Sequence, residues 1–137
     1  SPRSAREYGV PTNGASPFEL PEAFDMAPGN IPSGEILKRL GTGVYVSNLW
    51  YLNYSDRPAC RMTGMTRFAT LWVEDGKITA PLSVMRFDES AYRIFGEKLL
   101  GLTAQTEMIL DAYTYEARST GSARLPGALV EDFTFTL

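Results

Sequence analysis

The chain of 137 residues contains no histidine. Histidine is the usual general base at neutral pH and the commonest zinc ligand in proteins. Its absence excludes, within these residues, a serine or cysteine activated by histidine and a zinc-binding helix of the H-E-x-x-H type. The sequence therefore predicts that this chain is not an enzyme by itself.

Cysteine, basic clusters and long apolar runs are also scarce. Cys60 is the single cysteine, and such low usage is typical of proteins in the reducing cytoplasm. Sixteen acidic and thirteen basic residues give a net charge of -3, and no Lys/Arg cluster of the kind that contacts nucleic acid stands out. No apolar run approaches the roughly 18–20 residues of a membrane helix. We therefore predict a cytoplasmic protein with no nucleic-acid partner and no membrane partner.

Proline and glycine are concentrated at the start of the chain. Residues 1–30 contain five prolines and three glycines, a density that opposes long helices and strands. This segment is predicted to be a loop, either an arm pinned onto a surface by its apolar side chains or a linker between domains. Residues 31–137 are predicted to form one domain, since a chain with 44% apolar residues is long enough for one core.

The remaining sequence alternates between strand-like and helix-like patterns. Short amphipathic helices are predicted where apolar residues recur at helical spacing between capping residues, at residues 31–40 and 88–100. Strands are predicted where apolar and polar residues alternate, at residues 43–51, 66–74, 77–87, 106–113 and 129–137. The predicted fold class is α+β, mainly an antiparallel β sheet that is barrel-like or sandwich-like, with two short helices.

The clearest local signal is a β-hairpin in the middle of the chain. Residues 66–74 are rich in aromatic and β-branched side chains, and Asp75-Gly76 then supplies turn residues. After the turn, Ile78, Ala80, Leu82 and Val84 alternate with more polar residues, as in a strand with one buried face.

A polar loop is predicted over residues 53–64, between two strands. Long loops on rigid strands often carry binding groups. Arginines beside aromatic residues could hold a peptide through its carbonyls and carboxylates, whereas the alternative is a surface with ordinary exposed arginines. The candidate peptide-binding or interface residues are Asn48, Tyr54, Asp56, Arg57, Arg61, Thr63 and Arg67.

No catalytic or metal-binding residue is assigned. Cys60 lacks a histidine or a second cysteine as partner, so we interpret it as a packed small side chain. The acidic residues lie at predicted turns, at a helix start or on a strand, where a structural role is sufficient, and we interpret them as solvated charges. They are Asp56, Glu74, Asp75, Asp88, Glu89, Glu131 and Asp132.

The hairpin also carries a family resemblance. The run WVEDGKI at residues 72–78, with Pro81 after it, resembles the W-[IV]-E-[ND]-G-x-I-x-x-P signature of the TldD/PmbA family, whose members are described as modulators of DNA gyrase and zinc-dependent peptidases. Residues 43–49, GVYVSNL, resemble the strand that precedes the signature. The resemblance runs from about Gly41 onward and implies a C-terminal domain that follows a large N-terminal region.

The resemblance also implies where a metal would be held. In TldD-type members, two histidines of an upstream H-E-x-x-x-H helix and a cysteine near the C-terminus bind zinc. The corresponding tail position here falls at residues 116–120, where no cysteine stands. The chain is therefore similar to the PmbA (TldE) type, the subunit that lacks the metal site.

Taken together, these observations predict a non-catalytic structural or dimerisation part of a peptidase complex that acts on unfolded or modified peptides. The expected partners are a TldD-type subunit or a second copy, and a peptide substrate. No cofactor is expected in this chain, and zinc would belong to a parent or partner subunit. The alternatives are a free-standing peptide-binding module and the C-terminal part of an active zinc metallopeptidase whose histidine ligands lie upstream.

Overall fold

The computed structural model describes residues 2–11, 23–112, 114 and 121–136. They divide into two compact units, one of Ser1–Met26 with Glu107–Leu125 and one of Ala27–Thr106 with Pro126–Leu137. Three short α-helices, one 3₁₀ turn at Ser33–Glu35 and eight strands are present among the described residues. The elements are α1 (Pro2–Tyr8), β1 (Ala23–Asp25), α2 (Ile36–Leu40), β2 (Gly43–Asp56), β3 (Arg61–Glu74), β4 (Lys77–Pro81), β5 (Arg86–Ser90), α3 (Ala91–Ile94), β6 (Leu99–Leu110), β7 (Ser122–Val130) and β8 (Phe135–Thr136).

The larger unit is built around β3. One edge of this strand pairs with β2 in a hairpin whose strands are 14 residues each. The other edge pairs with β4 near its end and with β5 near its start, and β8 then pairs with β5, always antiparallel. The resulting sheet has the order β2-β3-β5-β8 with β4 beside β3, and β2 forms one of its edges.

A second sheet has the order β1-β7-β6. In the smaller unit β1 runs parallel to β7, with Ala23 opposite Ser122, and the Met26 N–H continues this pairing by donating to the Arg124 carbonyl. In the larger unit Thr103 of β6 accepts a hydrogen bond from the Gly127 N–H of β7 at 2.8 Å. Within the described residues neither sheet closes into a barrel.

The core of the larger unit is small and partly aromatic. Val73 is fully buried, and the Phe87 ring lies 5.4 Å from the ring of Phe133. Gly64 makes room for Phe87, because a Cβ on Gly64 would lie 2.9 Å from that ring. Burial of this aromatic cluster supplies the main hydrophobic stabilisation of the β3–β5 pairing.

The predicted hairpin and fold class are confirmed. Glu74 pairs with Lys77, and Asp75 and Gly76 both have positive φ, which is the backbone of a two-residue type I′ turn. Gly41 ends α2 at φ 67, as a C-terminal glycine should. The α+β class is confirmed with a sheet-rich character and without barrel closure.

Other predictions of local structure were wrong. The loop expected over residues 53–64 is only a four-residue turn, because the hairpin strands continue to Asp56 and resume at Arg61. The helix expected over residues 88–100 shrinks to Ala91–Ile94, since residues 88–90 are captured by the sheet and Leu99 already begins β6.

Three further boundaries also differ from the prediction. The strand expected over residues 77–87 breaks after Pro81 and resumes at Arg86. The segment expected to be loop over residues 1–30 contains α1 and β1, and the last strand is divided into β7 and β8. Among the described residues, no helix has the length and apolar character that crossing a membrane requires.

Candidate functional site

The seven candidate residues all lie on the β2–β3 hairpin. Asn48, Tyr54 and Asp56 belong to β2, Arg57 to the turn, and Arg61, Thr63 and Arg67 to β3. The strand register places Asn48 opposite Arg67 and Asp56 opposite Arg61. The hairpin therefore carries the set in two groups, one at the turn and one further along the strands.

Arg61 and Thr63 hold β5 against β3. The Arg61 guanidinium donates to the Asp88 carboxylate at 2.8 Å and to the Asp88 carbonyl at 3.1 Å, and the Thr63 hydroxyl donates to the Phe87 carbonyl at 2.9 Å. The hydrogen bond from Arg61 holds the pKa of the Asp88 carboxyl below its usual range and raises the pKa of Arg61. Both side chains are engaged in the fold.

The turn of the hairpin is fixed by local polar contacts. The Asp56 carboxylate accepts from the Ala59 N–H, three residues on, at 3.2 Å, a local side-chain-to-backbone hydrogen bond of the kind that stabilises turns. The Arg57 guanidinium lies 5.9 Å from the centre of the Tyr54 ring. Cys60 is half-buried with φ 44, and its carbonyl accepts from the Ala91 N–H at 2.9 Å. This hydrogen bond joins the turn to the start of α3, directly after β5.

Further along the hairpin, Arg67 lies close to two aromatic side chains. Its guanidinium carbon is 4.7 Å from the centre of the Trp50 ring and 5.5 Å from that of Phe68. Both distances are within the range of cation–π attraction. Asn48 stands opposite Arg67 in the register. These four residues form a group that we call the Arg67 clamp.

A buried carboxylate was missed by the sequence analysis. Glu89, interpreted there as a solvated charge at a helix start, lies in β5 and is 2% exposed. It accepts from the Ser90 N–H at 2.8 Å, from the Thr134 N–H at 3.2 Å and from Arg93 at 2.8 Å. The i, i+4 spacing of Glu89 and Arg93 was the signal available in the sequence.

The groups around the Glu89 carboxyl favour its charged form. Burial by itself would raise the pKa of the Glu89 carboxyl, but hydrogen bonds from Ser90 and Thr134 and the charge of Arg93 outweigh burial and lower the pKa. A buried charge that is paired and fully hydrogen-bonded is a structural element of the fold. We therefore assign Glu89 to the packing of β5 and α3 and not to acid–base chemistry.

The described residues do not fit a metal centre. Among them, no three His, Cys, Asp or Glu side chains come together in a way that could hold a metal ion. Tetrahedral zinc sites use nitrogen and sulfur ligands, and the chain offers no histidine and one cysteine. The tail position at residues 116–120, where the resemblance would place a metal cysteine, lies outside the described residues.

The whole chain, residues 1–137, matches the family model described as the PmbA/TldA metallopeptidase C-terminal domain. The chain belongs to the PmbA/TldD family. It forms the C-terminal domain of that family, as the resemblance of the hairpin predicted. No individually curated protein is significantly similar to it in sequence.

Two solved structures share the fold. A protein from Thermotoga maritima MSB8, described as a modulator of a DNA gyrase, superimposes with a TM-score of 0.67 at 16% identity over 99% of this chain. TldE from Thermococcus kodakarensis superimposes with a TM-score of 0.67 at 12% identity over 96% of this chain. The chain spans 29% of the length of each of these proteins.

Proposed function

We propose that this PmbA/TldD C-terminal domain is a non-catalytic structural part of a peptidase complex, and that it helps to assemble the complex with a TldD-type subunit or a second copy. The complex would act on unfolded or modified peptides, with zinc held by the parent or partner subunit. The proposal follows the PmbA (TldE) type, and the family match supports its coarser part.

The observation that carries the proposal is that three carboxylates capable of acid–base chemistry are held in contacts within the fold. Asp88 is engaged by Arg61, Glu89 is engaged by Arg93, and Asp56 caps its own turn. A general acid or base has to reach a substrate, and a carboxylate held in such contacts serves the fold instead. With no histidine in the chain, the residues on the hairpin are suited to contact and support.

The surface of the larger unit also supports association. Many large apolar side chains are exposed there, in contrast to the few that are buried. Extended exposed apolar surface is typical of protein interaction sites. The exposed members on the hairpin are Tyr45, Trp50, Tyr51, Leu52, Tyr54 and Phe68.

Subunit mixing tests the proposal. The intact protein is titrated into a TldD-type subunit from the same organism, and hydrolysis of an unfolded peptide is followed. We expect neither subunit to hydrolyse the peptide alone, and the mixture to reach a plateau at one equivalent. Hydrolysis by the intact protein alone would favour the catalytic alternative, whereas the absence of stimulation would contradict a shared complex.

A further inference from the structure

Strand β2 presents an open edge. It pairs with β3 on one side, and no other strand among the described residues pairs with it on the other. Native sheets usually protect such an edge with lysines, prolines, β-bulges or very short strands, and β2 has register irregularities between Val46 and Asn48, between Trp50 and Asn53, and near its end. β2 is 14 residues long and has no proline, lysine or arginine, and its one charged residue is Asp56 at the end. Between these irregularities the register stays regular over residues 43–46 and 48–50, and such stretches without basic residues are suited to pairing with an added strand.

The backbone beside this edge is strained at two aromatic residues. Tyr51 has φ 59 and Phe68 has φ 62, and their exposed fractions are 70% and 79%. Bulky residues rarely adopt positive φ, which costs roughly 1–2 kcal/mol each. The strand register shifts at both places, between Val46 and Asn48 across from Phe68 and between Trp50 and Asn53 around Tyr51. Such strain is often found where a protein holds a binding group in place.

Ser47 fixes the strained position of Phe68. Its hydroxyl accepts from the Ala69 N–H at 3.0 Å and donates to the Arg67 carbonyl at 3.3 Å. These two contacts bracket Phe68 on the facing strand and hold it beside the Arg67 guanidinium. Ser47 is therefore a positioning residue for the Arg67 clamp.

The arginine of the clamp has no acidic partner among the described residues. The rings of Trp50 and Phe68 approach the Arg67 guanidinium, and this group carries five N–H donors in a planar fork. An arginine held beside aromatic rings and without an acidic partner is suited to a carboxylate, which it can bind through two parallel hydrogen bonds. The clamp and the open edge of β2 thus offer two complementary contacts to one occupant.

We propose that an extended segment of a partner subunit pairs with the open edge of β2 and places a carboxylate on Arg67. This inference rests on the proposed function, because it names the surface through which the domain joins its partner. Arginine and aromatic residues also suit single-stranded nucleic acid, but a net charge of -3 and an edge without basic residues favour a protein strand.

Charge reversal in the intact protein tests the inference. Association with a TldD-type subunit, and self-association, are measured by sedimentation velocity for wild type, Arg67→Glu, Arg67→Gln and Arg39→Glu. Arg39 is an exposed arginine at the end of α2, so that Arg39→Glu matches the change in net charge. We expect Arg67→Glu to raise the dissociation constant by about tenfold or more, Arg67→Gln to have a smaller effect, and Arg39→Glu to stay within about twofold of wild type.

Hydrogen exchange of the wild-type protein gives a second measurement that needs no variant. Amides of residues 43–50 are expected to exchange more slowly in the complex than in the separated subunits, because added strand pairing protects them. Ser47→Ala should raise the dissociation constant less than Arg67→Glu does. In the Ser47→Ala variant, the weaker association should be accompanied by altered amide exchange near Phe68.

The outcomes separate the two proposals. A complex that forms equally well with Arg67→Glu, or that leaves exchange at residues 43–50 unchanged, overturns the assigned surface and leaves the proposed function standing. Failure of the wild-type protein to associate with itself or with a TldD-type subunit overturns both. Binding of a poly-dT oligonucleotide that Arg67→Glu abolishes, without any subunit association, would replace the partner strand by nucleic acid.

Discussion

The N–H of Gly76 donates a 2.7 Å hydrogen bond to the carbonyl of Gly41. It joins the turn of the family signature to the C-terminal end of α2, where carbonyl groups lack partners within the helix. The Asp75 N–H also approaches the Thr42 hydroxyl at 3.4 Å. The signature hairpin therefore contacts the end of α2, and its turn residues have a structural function in this chain.

Replacing Gly76 with alanine should destabilise this contact. Gly76 has φ 73, and a Cβ at this position would lie 3.1 Å from the Lys38 Cα. We expect Gly76→Ala to lower the free energy of unfolding by about 1–2 kcal/mol, from the strained backbone and the close approach. Urea unfolding of the intact protein measures the change. Gly34→Ala is the control, because nothing lies within 4 Å of a Cβ there, and an equal loss in both variants would contradict this structural function.

The buried carboxylate of Glu89 should make stability depend on acid. Its pKa is lowered in the folded chain from an ordinary value of 4.5, so its stabilising contribution is complete above that value and is lost as the pH falls through the folded pKa. We expect Glu89→Gln to lower the free energy of unfolding by about 1–3 kcal/mol at pH 7. The difference from wild type should shrink below pH 4.5, as urea unfolding at several pH values would show.

Glu97→Gln provides the matched control for Glu89. Glu97 contacts the same arginine, Arg93, at 3.3 Å, but its side chain is largely exposed. Exposed pairs contribute little, so the free energy of unfolding should change by less than about 0.5 kcal/mol at any pH. A pH-independent difference between wild type and Glu89→Gln would show that the charge of Glu89 is not what stabilises β5.

Two neighbouring threonines of β3 should respond oppositely to valine. The buried Thr70 hydroxyl has no hydrogen-bond partner in the described part of the chain, whereas the Thr66 hydroxyl accepts from the Met85 N–H at 3.0 Å. Thr70→Val should leave the free energy of unfolding unchanged or raise it by up to about 1 kcal/mol, and Thr66→Val should lower it by about 1–3 kcal/mol. Thermal unfolding of the two variants compares them directly, and a larger loss for Thr70→Val would indicate an unseen partner of its hydroxyl.

Features set by neighbouring residues could be predicted from the sequence. Asp75-Gly76 determines its turn locally, and Gly41 ends α2 through its own backbone freedom. The helix expected at residues 88–100 failed for the opposite reason. Its first residues pair with β3 about 25 residues earlier in the chain, and this distant contact outweighs the local helical spacing.

The same distinction between local and distant contacts applies to the candidate site. The sequence placed seven candidates on one stretch, and the structure places them on one hairpin. Spacing alone could not separate Arg61 from Arg67, because the partner of Arg61 is Asp88 of β5. Arg67 and Phe68 are consecutive, but neighbouring residues of a regular strand point to opposite faces. The 5.5 Å approach of their side chains accompanies a positive φ at Phe68 and the Ser47 hydroxyl across the hairpin, which spacing does not predict.

Zinc content and peptide hydrolysis, measured on the same complex, test whether this chain is a non-catalytic part of it. The complex of the intact protein with a TldD-type subunit is prepared as wild type, with Cys60→Ala in this chain, or with the zinc ligands of the partner replaced. We expect the complex with Cys60→Ala to keep both zinc and hydrolysis, and the complex with the partner variant to lose both. One equivalent of zinc and peptide hydrolysis retained by the partner variant, and lost on replacing residues of this chain, would contradict this non-catalytic role.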